Sequence, residues 1–218
     1  MFKRIIEELK HHAPFTFFGA LTGIILMAVF RTIPHGVAHR LFFTFHPLHV
    51  LLSALTTAAM YQRHKCGANR KQCNLFFLLM IGYVGSIGIA TVSDSLMPYA
   101  GEALLDMPRR GVHIGFIEMW WLVNPMAVVG IAIAYFKPTT KFPHYGHVLL
   151  STWASLFHIL MAAGGQISLM EYGAVFLFLF LAVWLPCCIS DIVFPLLFVG
   201  EVPESHDTKS SRHMSPVT

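Results

Sequence analysis

The sequence predicts an all-α membrane protein, with six transmembrane helices arranged as two inverted three-helix repeats. Hydrophobic residues fill 56% of the 218 positions and charged residues only 12%, a balance typical of polytopic membrane chains and foreign to soluble domains. Six apolar stretches are long enough to cross a hydrocarbon layer of about 30 Å at about 1.5 Å per helical residue. Two polar motifs recur in the same order: HPLHVLLS at 46–53 returns as HYGHVLLS at 144–151, and SDSLMP at 93–98 returns as SDIVFP at 190–195.

Residues 1–12 place Phe2, Ile5, Ile6 and Leu9 on one stripe, with Lys3, Arg4, Glu7, Glu8 and Lys10 elsewhere. That pattern suits an interfacial amphipathic helix. The apolar stretch behind it is too long for a signal-peptide core and no small-residue cleavage site follows, so cleavage is not expected. The six spans are expected near 13–31, 45–62, 75–98, 113–136, 145–165 and 171–199. Together they make one domain over 13–199, with repeat 1 at about 13–98 and repeat 2 at about 113–199. Residues 200–218 are polar and rich in Ser, His and Pro, which predicts a disordered cytoplasmic tail.

Three spans reverse the direction of the chain, so two consecutive three-span units have opposite topologies. Inverted repeats of this kind are a recurrent plan of secondary transporters, with cargo held where the halves meet. Gly19 and Gly23 form a GxxxG and Gly82, Ser86, Ala90 and Ser93 line the third helix, surfaces on which helices approach closely. Self-association into a homo-oligomer is left open.

Orientation follows from Lys and Arg, which are retained on the cytoplasmic side. With the amino terminus inside, one face collects Lys3, Arg4, Lys10, Arg63, Lys65, Arg70, Lys71, Lys137, Lys141, Lys209 and Arg212, against Arg31, Arg40, Arg109 and Arg110 on the other. Both termini are therefore expected in the cytoplasm. The net charge of +4 is accounted for by these loops and gives no case for nucleic acid. Cys66, Cys73, Cys187 and Cys188 fall on or near that face, where thiols stay reduced, and their spacing is no zinc ribbon.

The duplicated polar residues carry the chemistry. His46 and His49 share a helix face that Ser53 continues, and His144, His147, Ser151, Ser155 and His158 keep the same three- and four-residue spacing. Polar groups in hydrocarbon need partners, so these lanes should face the bundle interior or a hydrated path. In each SDxxxP motif a proline follows the aspartate by four, removing the N–H that would bond the aspartate's own carbonyl. Ser93 with Asp94 and Ser190 with Asp191 thus offer oxygens at an expected helix break. Inversion should send the two sets to opposite faces, with His113 and Glu118 joining the outer one and His12 the inner one.

Imidazoles beside such oxygens suit a divalent transition metal (zinc, iron, nickel, cobalt or manganese) better than calcium or magnesium. The candidate ligands are His46, His49, Asp94, His113, His144, His147, Asp191 and His12. Ser53, Ser93, Glu118, Ser151, His158 and Ser190 are candidates for a supporting polar path, with His158 and Glu118 suited to proton exchange. Any one of these histidines is more often structural, but packing alone does not require both copies to keep them. The resulting expectation is a transporter or channel for the metal cation, the two sets acting as outer and inner gates or as halves of one central site, with membrane lipid and the metal ion as partners. A membrane-embedded metal-dependent hydrolase and a haem-binding redox subunit are the alternatives.

Overall fold

A computed structural model describes residues 2–66, 73–139, 141–164, 168–188 and 194–198 of the chain, and every regular element among them is helical. In order these are α1 (Phe2–Phe30), α2 (His35–Tyr61) ending in a π-helical turn (Gln62–Cys66), α3 (Leu75–Thr91), a second π-helical turn (Val92–Leu96), α4 (Met97–Leu104), α5 (Gly115–Glu118), α6 (Trp120–Phe136), α7 (Lys141–Ala163), α8 (Leu169–Cys188) and α9 (Phe194–Leu197).

Local chemistry sets the ends. Pro34, extended at φ −61° and ψ 143°, precedes α2, and the Asn74 side chain caps α3 by accepting from the Phe76 N–H at 3.0 Å. Gly164 ends α7 in the left-handed region at φ 61°, the backbone setting that glycine tolerates best. Residues 2–12 belong to α1 itself. Residues 200–218 lie outside the described residues.

Ala13–Phe30, His35–Lys65, Leu75–Leu104, His144–Ala163 and Leu169–Cys187 are long and apolar enough to cross a membrane, while α6 has only 17 residues. Phe18, Ile25, Val29, Phe76, Val84 and Leu177 are exposed on these segments, an outward apolar belt suited to lipid and costly in water. The chain is a multi-pass membrane protein.

Two spans differ from their expected bounds. The second helix begins at His35 instead of near 45, because the exposed Arg40 sits on its end without interrupting it. The third apolar segment continues to Leu104 instead of stopping near 98. Cys73 is disulfide-bonded, against the expectation of reduced thiols.

The long α2 is the packing axis. It runs antiparallel to α7, with Phe45 stacked on Phe157 at 5.6 Å and His49 on His147 at 5.6 Å, and it also packs on α3 and α6. On the other side α1 packs on α7 and α8, where Gly23 lies against Leu179 and Thr152. One apolar cluster includes Met27, Phe42, Phe157 and Leu179, and another Val50, Leu78, Ile81 and Ile131.

At Gly130 of α6 the backbones of two helices nearly touch, and a methyl group there would fall on the Leu51 carbonyl oxygen. Gly130→Ala should therefore destabilise the protein by about 1–3 kcal/mol, the usual cost of overpacking. Gly88 has open space around it, so Gly88→Ala should be neutral or slightly stabilising. Unfolding curves of both variants in mixed micelles check the pair, and equal stability would contradict the close approach.

Candidate metal centre

Asp94 sits in the π turn between α3 and α4 and is fully buried. Pro98 cannot bond back to the Asp94 carbonyl, and the chain absorbs the defect by widening: Met97 N–H donates five residues back, to the Val92 carbonyl. In that register the next carbonyl, that of Ser93, would have had Pro98 as its donor. Ser155 of α7 supplies the missing hydrogen, its Oγ lying 2.9 Å from the Ser93 carbonyl. The expected helix break is thus a π turn, and the freed carbonyl is that of Ser93, one residue earlier than the motif implied.

The carboxylate of Asp94 accepts four hydrogen bonds. Oδ2 receives His46 Nδ1 at 2.9 Å and His49 Nδ1 at 2.7 Å. Oδ1 receives the hydroxyls of Ser93 and Ser151, both at 2.7 Å. With its lone pairs engaged in this way the group has no place for a proton of its own. Both imidazoles lie with Nδ1 against the carboxylate, so in a neutral ring that donates there the lone pair is on Nε2.

Those two nitrogens meet different surroundings. His49 Nε2 is buried and has no hydrogen-bond partner among the described residues. His49, His147 and Cys187 each offer a donor atom within 4.8 Å of the others, and all three residues are buried. This grouping can hold a metal ion, with the Asp94–His49 pair fixing ring orientation as carboxylate–histidine pairs do behind metals. His46 Nε2 instead abuts Gly115, where a methyl group would collide with it. Beyond His147, His144 is half-buried, with its Nδ1 3.3 Å from His147 Nε2.

A second carboxylate–histidine pair lies nearer the start of α2. His158 Nδ1 is 2.6 Å from Glu102 Oε1, both side chains are buried, and His158 Nε2 has no partner among the described residues. Phe42 packs between the two pairs, stacked on His46 at 5.3 Å and edge-on to His158 at 5.3 Å. His113 comes next, 5.4 Å from the His158 ring and 3.2 Å from Glu118 through Nδ1 and Oε2.

For the histidine motif the expected placement of the two copies on opposite faces does not hold. His49 meets His147, and Asp94 meets Ser151, at one interior level. The reason is the length of α2: starting at His35, it carries His49 about 21 Å into the bundle at about 1.5 Å per residue. Ser53 is also buried there, its hydroxyl unpartnered among the described residues. Ser190, Asp191 and the side chain of His12 lie outside the described residues.

Sequence reasoning passed over three residues. Cys187 belongs to no metal-binding spacing in the sequence, and only the packing of α8 brings it to His49. Glu102 falls after the π turn, which adds a residue to the helix and so changes the face on which later residues lie. His39 lies between the spans expected at 13–31 and 45–62. No protein-family model, curated protein or solved structure matches the chain.

The hydroxyls give a direct test of this network. Ser151→Ala removes a hydrogen bond to a buried carboxylate and should cost about 1.5–3 kcal/mol. Ser53→Ala removes an unpartnered hydroxyl and should be neutral or stabilising. Unfolding in micelles measures both, and a larger loss at Ser53 would refute the assignment.

Proposed function

We propose that the protein is a membrane transporter for a divalent transition-metal cation, bound centrally by His49, His147 and Cys187. The observation that carries this reading is a lane of imidazoles extending through the interior. It runs from His39 and His113, 5.9 Å apart, past His158 at 5.4 Å from His113, to the Asp94 pair, and from His49 to His147 and His144 at 5.6 and 5.1 Å. An enzyme needs one site, whereas such a lane suits a path. The thiol narrows the cargo toward zinc, cobalt or nickel and away from manganese.

The inverted six-span plan is part of the same proposal, with α6 and the turn before it as the fourth span. It is supported by matched packing: α1 lies on α7 and α8 as α6 lies on α2 and α3, each arm embracing the other half. On the basic-residue bias we place both termini in the cytoplasm. The disulfide at Cys73 favours the opposite orientation, since disulfides persist in oxidising compartments. We give the bias more weight because it sums eleven residues against four; modification of an engineered terminal cysteine in sealed cells by an impermeant reagent would reverse the assignment.

A membrane hydrolase is the second reading. Three ligands with an open fourth position can activate water, and the meeting of His49 with His147 in one place is compatible with a single reaction site. Proteoliposomes decide between the two. Wild-type protein should carry zinc or cobalt above the protein-free leak, and His49→Ala or Cys187→Ser should abolish that flux. Undiminished flux in both variants would reject the central site, while metal-dependent lipid hydrolysis without flux would favour the enzyme. Asp94→Asn should weaken metal affinity by about 10–100-fold, the usual effect of losing the group behind a ligating histidine; calorimetric titration reads it, and unchanged affinity would disprove the positioning role.

A further inference from the structure

We propose that His39, His113 and Glu118 form a second divalent-metal site, an open capture site at the end of the bundle where α2 begins. The three side chains come from separate places in the sequence, α2, the segment before α5 and the end of α5. Their donor atoms nevertheless lie within 4.8 Å of one another. This site shares no residue with the central one and does not depend on it.

The donors are held in place by neighbours. Glu118 Oε1 accepts the Ile114 N–H at 3.0 Å, which turns Oε2 toward His113 Nδ1 at 3.2 Å. Metal–ligand bonds of about 2.0–2.1 Å at tetrahedral angles put adjacent ligand atoms about 3.3 Å apart. That pair therefore already has the spacing of two ligands. His39 supplies the third donor, its ring packed on Phe43 at 4.7 Å and edge-on to His113 at 5.9 Å. A surface ion pair needs no third donor from another helix.

Exposure distinguishes the site from the buried centre. The His113 and Glu118 side chains are 25% and 37% exposed, so water can complete the shell and exchange quickly. Two imidazoles and a carboxylate with an open position suit zinc, cobalt or ferrous iron. His35, 6.4 Å from His39 between ring centres, is within reach as a further donor. The Arg110 guanidinium is occupied by Asp106 at 2.7 Å.

The test is titration of the full-length, tag-free protein in detergent with cobalt, followed by its absorption and by calorimetry with zinc. Wild type should bind one more equivalent than the His113→Ala, Glu118→Gln double variant. His39→Gln alone should weaken the same equivalent by at least about tenfold. His49→Ala with Cys187→Ser should leave this equivalent intact while removing the other, so failure of the central site is read separately. Glu118→Gln, nearly isosteric and partly exposed, guards against misfolding and should also lower affinity at this site. Unchanged stoichiometry and affinity in the double variant and in Glu118→Gln would overturn the proposal.

Discussion

The buried carboxylate of Asp94 is the constraint around which the interior is arranged. An ion removed from water in a bundle of this kind costs several kcal/mol unless its lone pairs are engaged. Here the donors come from α2, from the π turn itself and from α7. Their convergence fixes the rotation of α2 and α7 about their own axes. A shift of one residue along either helix would turn its donor by about 100° and leave the charge exposed to hydrocarbon.

The same bonds orient the two imidazoles of α2. With Nδ1 bonded to Asp94, a neutral His49 ring presents its lone pair at Nε2, whereas His46 Nε2 faces Gly115. Apolar packing alone would not specify that tautomer. The π turn contributes as well: it places the carboxylate in the interior and relieves the Pro98 defect, while Ser155 satisfies the carbonyl that the widened register leaves over. Removing the proline's irregularity would therefore move the ligand-orienting group along with the backbone.

Much of this was legible in the sequence, and the gaps have physical causes. The apolar runs gave the helices, and the repeated motifs singled out His46, His49, Asp94, Ser151 and His147, which the fold brings together. Depth was misread because Arg40 and His39 resemble loop residues, although a long side chain at a helix end can reach the membrane surface without interrupting the helix. The identity of the freed carbonyl was misread because an α-helical register was applied where the chain is π-helical. Glu102 escaped for the same reason, its face depending on the extra residue in that turn. Cys187 belongs to a different limit: its partners are fixed by α8 packing on α7, a tertiary fact without a local signature.

Between the partly exposed rim at His113 and the buried centre at His49 stands Phe42, which is fully buried and contacts the rings of His46, His113 and His158. An apolar ring among imidazoles costs the lane a polar contact, but it offers water no partner beside the Asp94 cluster, which favours its exclusion. That exclusion strengthens each hydrogen bond to the carboxylate, since electrostatic interactions weaken in proportion to the local dielectric. The imidazoles on either side of the ring are each anchored through Nδ1 to a buried acid, Asp94 or Glu102, so they cannot swing to bypass it without breaking a buried hydrogen bond. On the transport reading, passage from rim to centre then requires motion of Phe42 itself, and the anchored pairs supply the fixed walls against which it moves.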